Sequence, residues 1–84
     1  MIGNKNIQFH TLREFLLNLG FQERRGTSTF IFEHPETGTL LLFQLYAPNE
    51  QVDVKDLVVV RKMLDARGVM DRADFEDWFM ETAA

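Results

Sequence analysis

The 84-residue chain contains no cysteine, which excludes both disulfide staples and thiolate metal ligands. Only two prolines and five glycines punctuate it, so its turns are few and each can be placed. Two histidines leave little material for imidazole acid–base chemistry. No apolar run is longer than four residues (Leu40–Phe43 and Leu57–Val60), far short of the roughly 20 that a membrane helix needs. There is no signal-peptide pattern either, so a cytoplasmic protein with no membrane contact is expected. Basic residues are outnumbered nine to thirteen, giving a net charge of −4. The charge is uneven: residues 1–34 carry +1 and residues 35–84 carry −5. That balance argues against the broad basic stripe of a nucleic-acid binder.

What remains is 45% hydrophobic and 26% charged residues, a composition that folds rather than stays disordered. The length allows one domain, expected over residues 1–84 with an ordered core at about 9–82. A chain this short buries only roughly 60–65% of its unfolded surface, so dense packing or association must supply the rest. Eight phenylalanines provide the area. No internal repeat or low-complexity segment is present.

Residues 1–8 are mixed and polar, a loose start. Thr11-Leu12-Arg13-Glu14 reads as a capping box, with Leu12, Phe15, Leu16 and Leu19 forming one helical stripe and Gly20 ending it. Phe21–Arg25, Ser28–His34 and Thr39–Tyr46 read as strands joined by Gly26-Thr27 and Pro35-Glu36-Thr37-Gly38. Links this short make an antiparallel meander. Asp53 is placed to cap a second helix, with Val52 and Leu57 as a hydrophobic staple, and Gly68 stops it. Asp71 opens a third, with a seam of Phe75, Trp78 and Phe79. The expected fold is α+β in the order α-β-β-β-α-α, a three-stranded antiparallel meander packed against helices.

Several stretches resemble the HicA-type mRNA interferase toxins, a branch of the double-stranded-RNA-binding-domain-like fold. Leu19-Gly20-Phe21 is similar to the family's helix ending. Gly26-Thr27-Ser28, Phe30 and Phe32, and His34-Pro35-Glu36-Thr37-Gly38 resemble its second strand and following turn. Gly68-Val69 and Asp74-Phe75-Glu76 are similar to its C-terminal part, so the resemblance spans roughly residues 11–80. It implies an RNA-cleaving toxin bound by a HicB-type antitoxin, with a histidine at the place that Ser28 resembles.

Ser28 removes the acid–base group. Transfer of a proton near neutral pH suits imidazole, and a serine needs a base of its own. His34 stands six residues on, about 20 Å along an extended strand, and reads as a surface turn residue. His10 precedes the helix cap. No catalytic residue, cofactor or metal is therefore expected: the C-terminal carboxylates Asp71, Asp74, Glu76, Asp77 and Glu81 lack a calcium-loop order. They read as a solvated helix face or as a docking surface for a basic partner. Arg13, Arg24 and Arg25 are the candidates for RNA contact, opposed by Asp53 and Asp56 at the second helix start.

Strand three does not alternate. Leu41, Phe43 and Leu45 point one way while Leu40 and Leu42 point the other, so both faces need cover. Either the third helix crosses to the second face, or another chain covers it. Leu40, Leu42, Phe30, Phe32 and Trp78 are the candidates for such an interface. The expected partner is a second copy of the chain or an antitoxin-like protein. Arg61, inside the apolar arc of helix two, is expected to snorkel or to pair with a carboxylate of helix three. The expected function is a non-catalytic HicA-like module acting through protein contacts. The alternative is a HicA-type interferase or RNA-binding protein of a toxin–antitoxin system.

Overall fold

A computed structural model describes residues 5–83. Helix α1 (Phe9–Asn18) leads into strands β1 (Gln22–Arg25), β2 (Thr29–His34) and β3 (Thr39–Gln44), followed by helices α2 (Val54–Ala66) and α3 (Arg72–Thr82). The sheet order is β1-β2-β3 and both pairings are antiparallel, the α+β meander that the sequence predicts. The glycines make its corners. Gly20 and Gly68 have φ of 100° and 72°, and the bonds Phe21 N–H to Leu16 O (3.1 Å) and Val69 N–H to Leu64 O (2.9 Å) complete a Schellman ending at each helix. Gly38, at φ 72°, donates to the His34 carbonyl (2.8 Å) and closes the β2–β3 turn.

The start of α1 departs from expectation. Thr11 is not its cap: the helix begins three residues earlier than a Thr11 cap would start it, at Phe9 behind Gln8, with no side-chain cap bond. Its first free donors are satisfied from a distance, Phe9 N–H by the Glu50 carbonyl (2.8 Å) and His10 N–H by the Pro48 carbonyl (3.0 Å). A carbonyl from another segment does there what a capping side chain would do. Nor are the preceding residues loose. Ile7 is buried, accepts from Val52 N–H (2.9 Å), and adjoins an isolated bridge between Gln8 and Gln51. Residues 1–4 of the expected loose start lie outside the described residues. Asp53 and Asp71 do precede α2 and α3, but neither side chain caps.

Directly opposed residues of an antiparallel pair share a face. The register sets Phe30 against Phe43 and Phe32 against Leu41, and this face meets the helices. Phe9, Phe32, Phe43, Leu12, Leu16, Leu57, Phe75 and Phe79 belong to one buried cluster. Phe75 and Phe79 are wholly buried within it, and Trp78 stacks on Phe15 of α1 (centroids 3.8 Å, 16°). Helix α3 thus joins the same layer as α1 and α2 and does not cross the sheet. Arg61 pairs with Glu76 of α3 at 2.9 Å, and Arg72 reaches the same carboxylate at 3.1 Å. These arginines, Arg72 foremost through its hydrogen bond, hold the Glu76 carboxyl below the usual range. Among the described residues, no helix is long and apolar enough to cross a membrane.

Candidate functional site

The helix-free face of the sheet carries Gln22, Arg24, Thr29, Ile31, Glu33, Leu40, Leu42 and Gln44 by register. It is graded across the strands. Toward β1 it is polar, with Arg24 bonded to Glu33 at 2.9 Å; toward β3 it is apolar, with Leu40 and Leu42 at 46% and 60% exposure. Strand β3 is an edge, so one side of its backbone has no partner strand among the described residues. Between that edge and α2 runs a groove of about 230 Å³ lined by Leu40, Leu42, Val59, Met63 and Asp56. Among the described residues, three of the six exposed large apolar side chains, Leu40, Leu42 and Val59, line it, which marks this edge out from the rest of their surface.

Three interface candidates change place. Phe32 is fully buried on the core face, so it cannot meet a partner. Phe30 shares that face through Phe43 and is half-buried against Phe9 (centroids 5.0 Å, 24°). Trp78, half-buried on Phe15, lies among the helices away from Leu40 and Leu42. Val59 was not anticipated. The signal lay in Val58-Val59-Val60: three consecutive residues cannot share one helix face, and with Val60 buried, Val59 at 53% is left outside.

The residues with chemistry on offer are scattered. Ser28 is exposed in the β1–β2 turn, at the opposite end of β2 from His34. Arg13 is held by Glu23 through a 2.6 Å bond and Arg24 by Glu33. Among the described residues, Arg25 has no carboxylate partner; its guanidinium lies 5.6 Å from the Phe30 ring centroid. His10 bonds Gln8 Oε1 at 2.8 Å and approaches Glu14 at 3.8 Å.

His34 is not a surface turn residue. It is 7% exposed, as its parity with Phe30 and Phe32 dictates. Nε2 lies 3.0 Å from the Leu19 carbonyl, which can only accept, so Nε2 carries the proton. In the neutral ring Nδ1 then accepts from Thr37 Oγ1 (3.0 Å), which in turn bonds the hydroxyl of buried Thr39 (2.6 Å). The chain of bonds ties the end of α1 to the β2–β3 turn and uses both ring nitrogens, so it is structural. His34→Ala is expected to cost about 1–3 kcal/mol, the range for stranding a buried polar group, read as a lower urea midpoint at unchanged slope.

Tyr46 makes a second buried junction. Its hydroxyl donates to Asp56 Oδ2 (2.6 Å) and accepts from Asp53 N–H (3.0 Å), joining the end of β3 to the start of α2. Burial, reinforced by the bond to Asp56, pushes the phenol up from 10.0 to about 12. No protein-family model, curated protein or solved structure matches the chain.

Proposed function

We propose that this protein is a non-catalytic interaction module of the HicA-like kind that works in the cytoplasm and pairs with a second copy of itself along β3. The observation that carries the reading is the coincidence of the unpaired β3 edge with the apolar groove beside it. This is the arrangement used when an added strand takes main-chain hydrogen bonds from an edge while its alternate side chains fill a groove.

Charge favours a second copy as the occupant. Thr39-Leu40-Leu41-Leu42-Phe43-Gln44 contains no charged residue, so antiparallel self-pairing opposes no like charges in any register. The chain as a whole is at −4, with −5 on residues 35–84, so self-association through the acidic C-terminal half outside β3 would set like charges against each other. The non-catalytic part of the reading is supported by the exposed Ser28, by His34 committed to Leu19 and Thr37, and by Arg13 and Arg24 already paired with carboxylates.

Molar mass in solution tests it. At roughly 100 µM, above a Kd of micromolar order, the wild type is expected to weigh twice the 9.8 kDa of one chain. Leu42→Lys is expected to be monomeric with an unchanged circular-dichroism spectrum. In a two-fold interface each substitution counts twice, so a loss of about 1–2 kcal/mol per side weakens the dimer by roughly 30- to 1,000-fold. A wild-type monomer would remove the second copy as occupant. Cleavage of RNA by the pure wild type would overturn the non-catalytic reading in favour of the interferase, and capture of an antitoxin-like protein by the wild type but not Leu42→Lys would reassign the occupant.

A further inference from the structure

Edge strand β1 is unusual on its core side. Glu23 and Arg25 pair with Phe32 and Phe30, so the positions facing the helices are charged where a core strand would be apolar. Helix α1 leaves a gap above them. A hollow of about 510 Å³ opens there, with Phe9, Phe30 and Tyr46 among its walls and Arg13, Glu23 and Arg25 at its polar side. This volume lies within the roughly 300–1,000 Å³ of small-molecule sites, which are likewise mostly apolar with a few converging polar groups.

The aromatic wall is ordered as a stack. Phe9 lies between Phe30 (5.0 Å, 24°) and Tyr46 (5.2 Å, 19°). Phe30 stays half-exposed at its open end; Phe9 stacks on it and the Arg25 guanidinium lies over the ring at 5.6 Å, so another flat ring packs against its exposed edge, beside that guanidinium. The charges leave a remainder of one. Arg13 and Glu23 neutralise each other at 2.6 Å, and the lining His10 has its Nε2 on Gln8. Arg25, at the Phe30 ring, keeps a guanidinium with no carboxylate to bind among the described residues. A guanidinium fork matches a carboxylate in two parallel hydrogen bonds.

We propose that the hollow between α1 and β1 binds an aromatic monocarboxylate, its ring against Phe30 and its carboxylate on Arg25. This site is separate from the β3 groove and does not depend on self-association.

The probes are 2-naphthoate and its uncharged counterpart 2-naphthamide, titrated into the full chain while amide chemical shifts are followed. Saturable shifts at Arg25, Phe30 and Leu45 are expected with naphthoate. Naphthamide is expected to bind at least about tenfold more weakly, the ratio that corresponds to one charge-assisted hydrogen bond of about 1.5–3 kcal/mol. Arg25→Gln is expected to erase that ratio. Arg24→Gln, on the opposite face of β1, is expected to leave it intact. Absence of saturable shifts, equal binding of the two probes by the wild type, or a ratio that survives Arg25→Gln would each overturn the assignment.

Discussion

Phe9→Ala is expected to destabilise the fold by about 3–5 kcal/mol, the cost of deleting a buried aromatic ring and leaving its cavity. Phe9 is 2% exposed, and its ring meets four others: Phe30, Phe32, Phe43 and Tyr46, at 5.0 to 6.4 Å between centroids. Those four come from two strands and the segment after β3, so no single neighbour can relax into the space. A chain of this length has a total stability of roughly 4–13 kcal/mol, and the substitution consumes a large part of it. Urea denaturation of the variant reads the loss directly. Phe9→Leu, which keeps much of the volume, is expected to recover more than half of it. A loss below about 1 kcal/mol for Phe9→Ala would mean that the aromatic stack is not the centre of this core. The backbone bond from Phe9 to the Glu50 carbonyl is kept in both variants, so the comparison isolates the ring.

The importance of Phe9 was hidden from the sequence for a physical reason. Thr11 to Glu14 offers a local cap signal, and a local reading starts the helix there. The observed start is fixed by the carbonyls of Pro48 and Glu50, some forty residues away, and no propensity reports a bond of that range. Where structure is determined locally the sequence was legible: Gly20, Gly38 and Gly68 all take positive φ, and the short links do produce a meander. Parity within a strand was also legible, since Leu40 and Leu42 stand opposite to Leu41 and Phe43. Which parity faced inward was not, because it is set by the pairing of Phe30 with Phe43 and Phe32 with Leu41. The same parity, followed two residues past Phe32, would have placed His34 in the interior. The hollow had no local signature at all. Its residues come from α1, β1, β2 and the segment 45–48, and Arg25 becomes distinctive only once Glu23 is seen to engage Arg13 and not Arg25.

Tyr46 provides a test that reads one residue without mutation, because it is the chain's single tyrosine. The near-ultraviolet absorbance of phenolate is expected to titrate at about 12 in the folded protein, against 10.0 for an unperturbed phenol. Burial excludes the anion, and Asp56 at 2.6 Å would face it with a second negative charge. The folded state therefore holds the proton more tightly than the unfolded chain does. Stability from this group is fully present below the unfolded pKa of 10.0 and is lost as pH rises through the folded value of about 12. The loss amounts to about 2–3 kcal/mol when complete, at 1.36 kcal/mol per pKa unit. Tyr46→Phe is expected to flatten this alkaline limb. It also costs about 1–2 kcal/mol at neutral pH, since Asp53 N–H loses its acceptor and Asp56 its donor. A folded-state midpoint at 10 would show the hydroxyl to be solvated and the junction open. The consequence reaches the proposed interface. Tyr46 is the tie between the end of β3 and the start of α2, and the groove beside Leu42 keeps its walls only while those two elements stay in register. Dissociation of the self-paired form is accordingly expected to begin in the same pH window in the wild type and to lose that dependence in Tyr46→Phe.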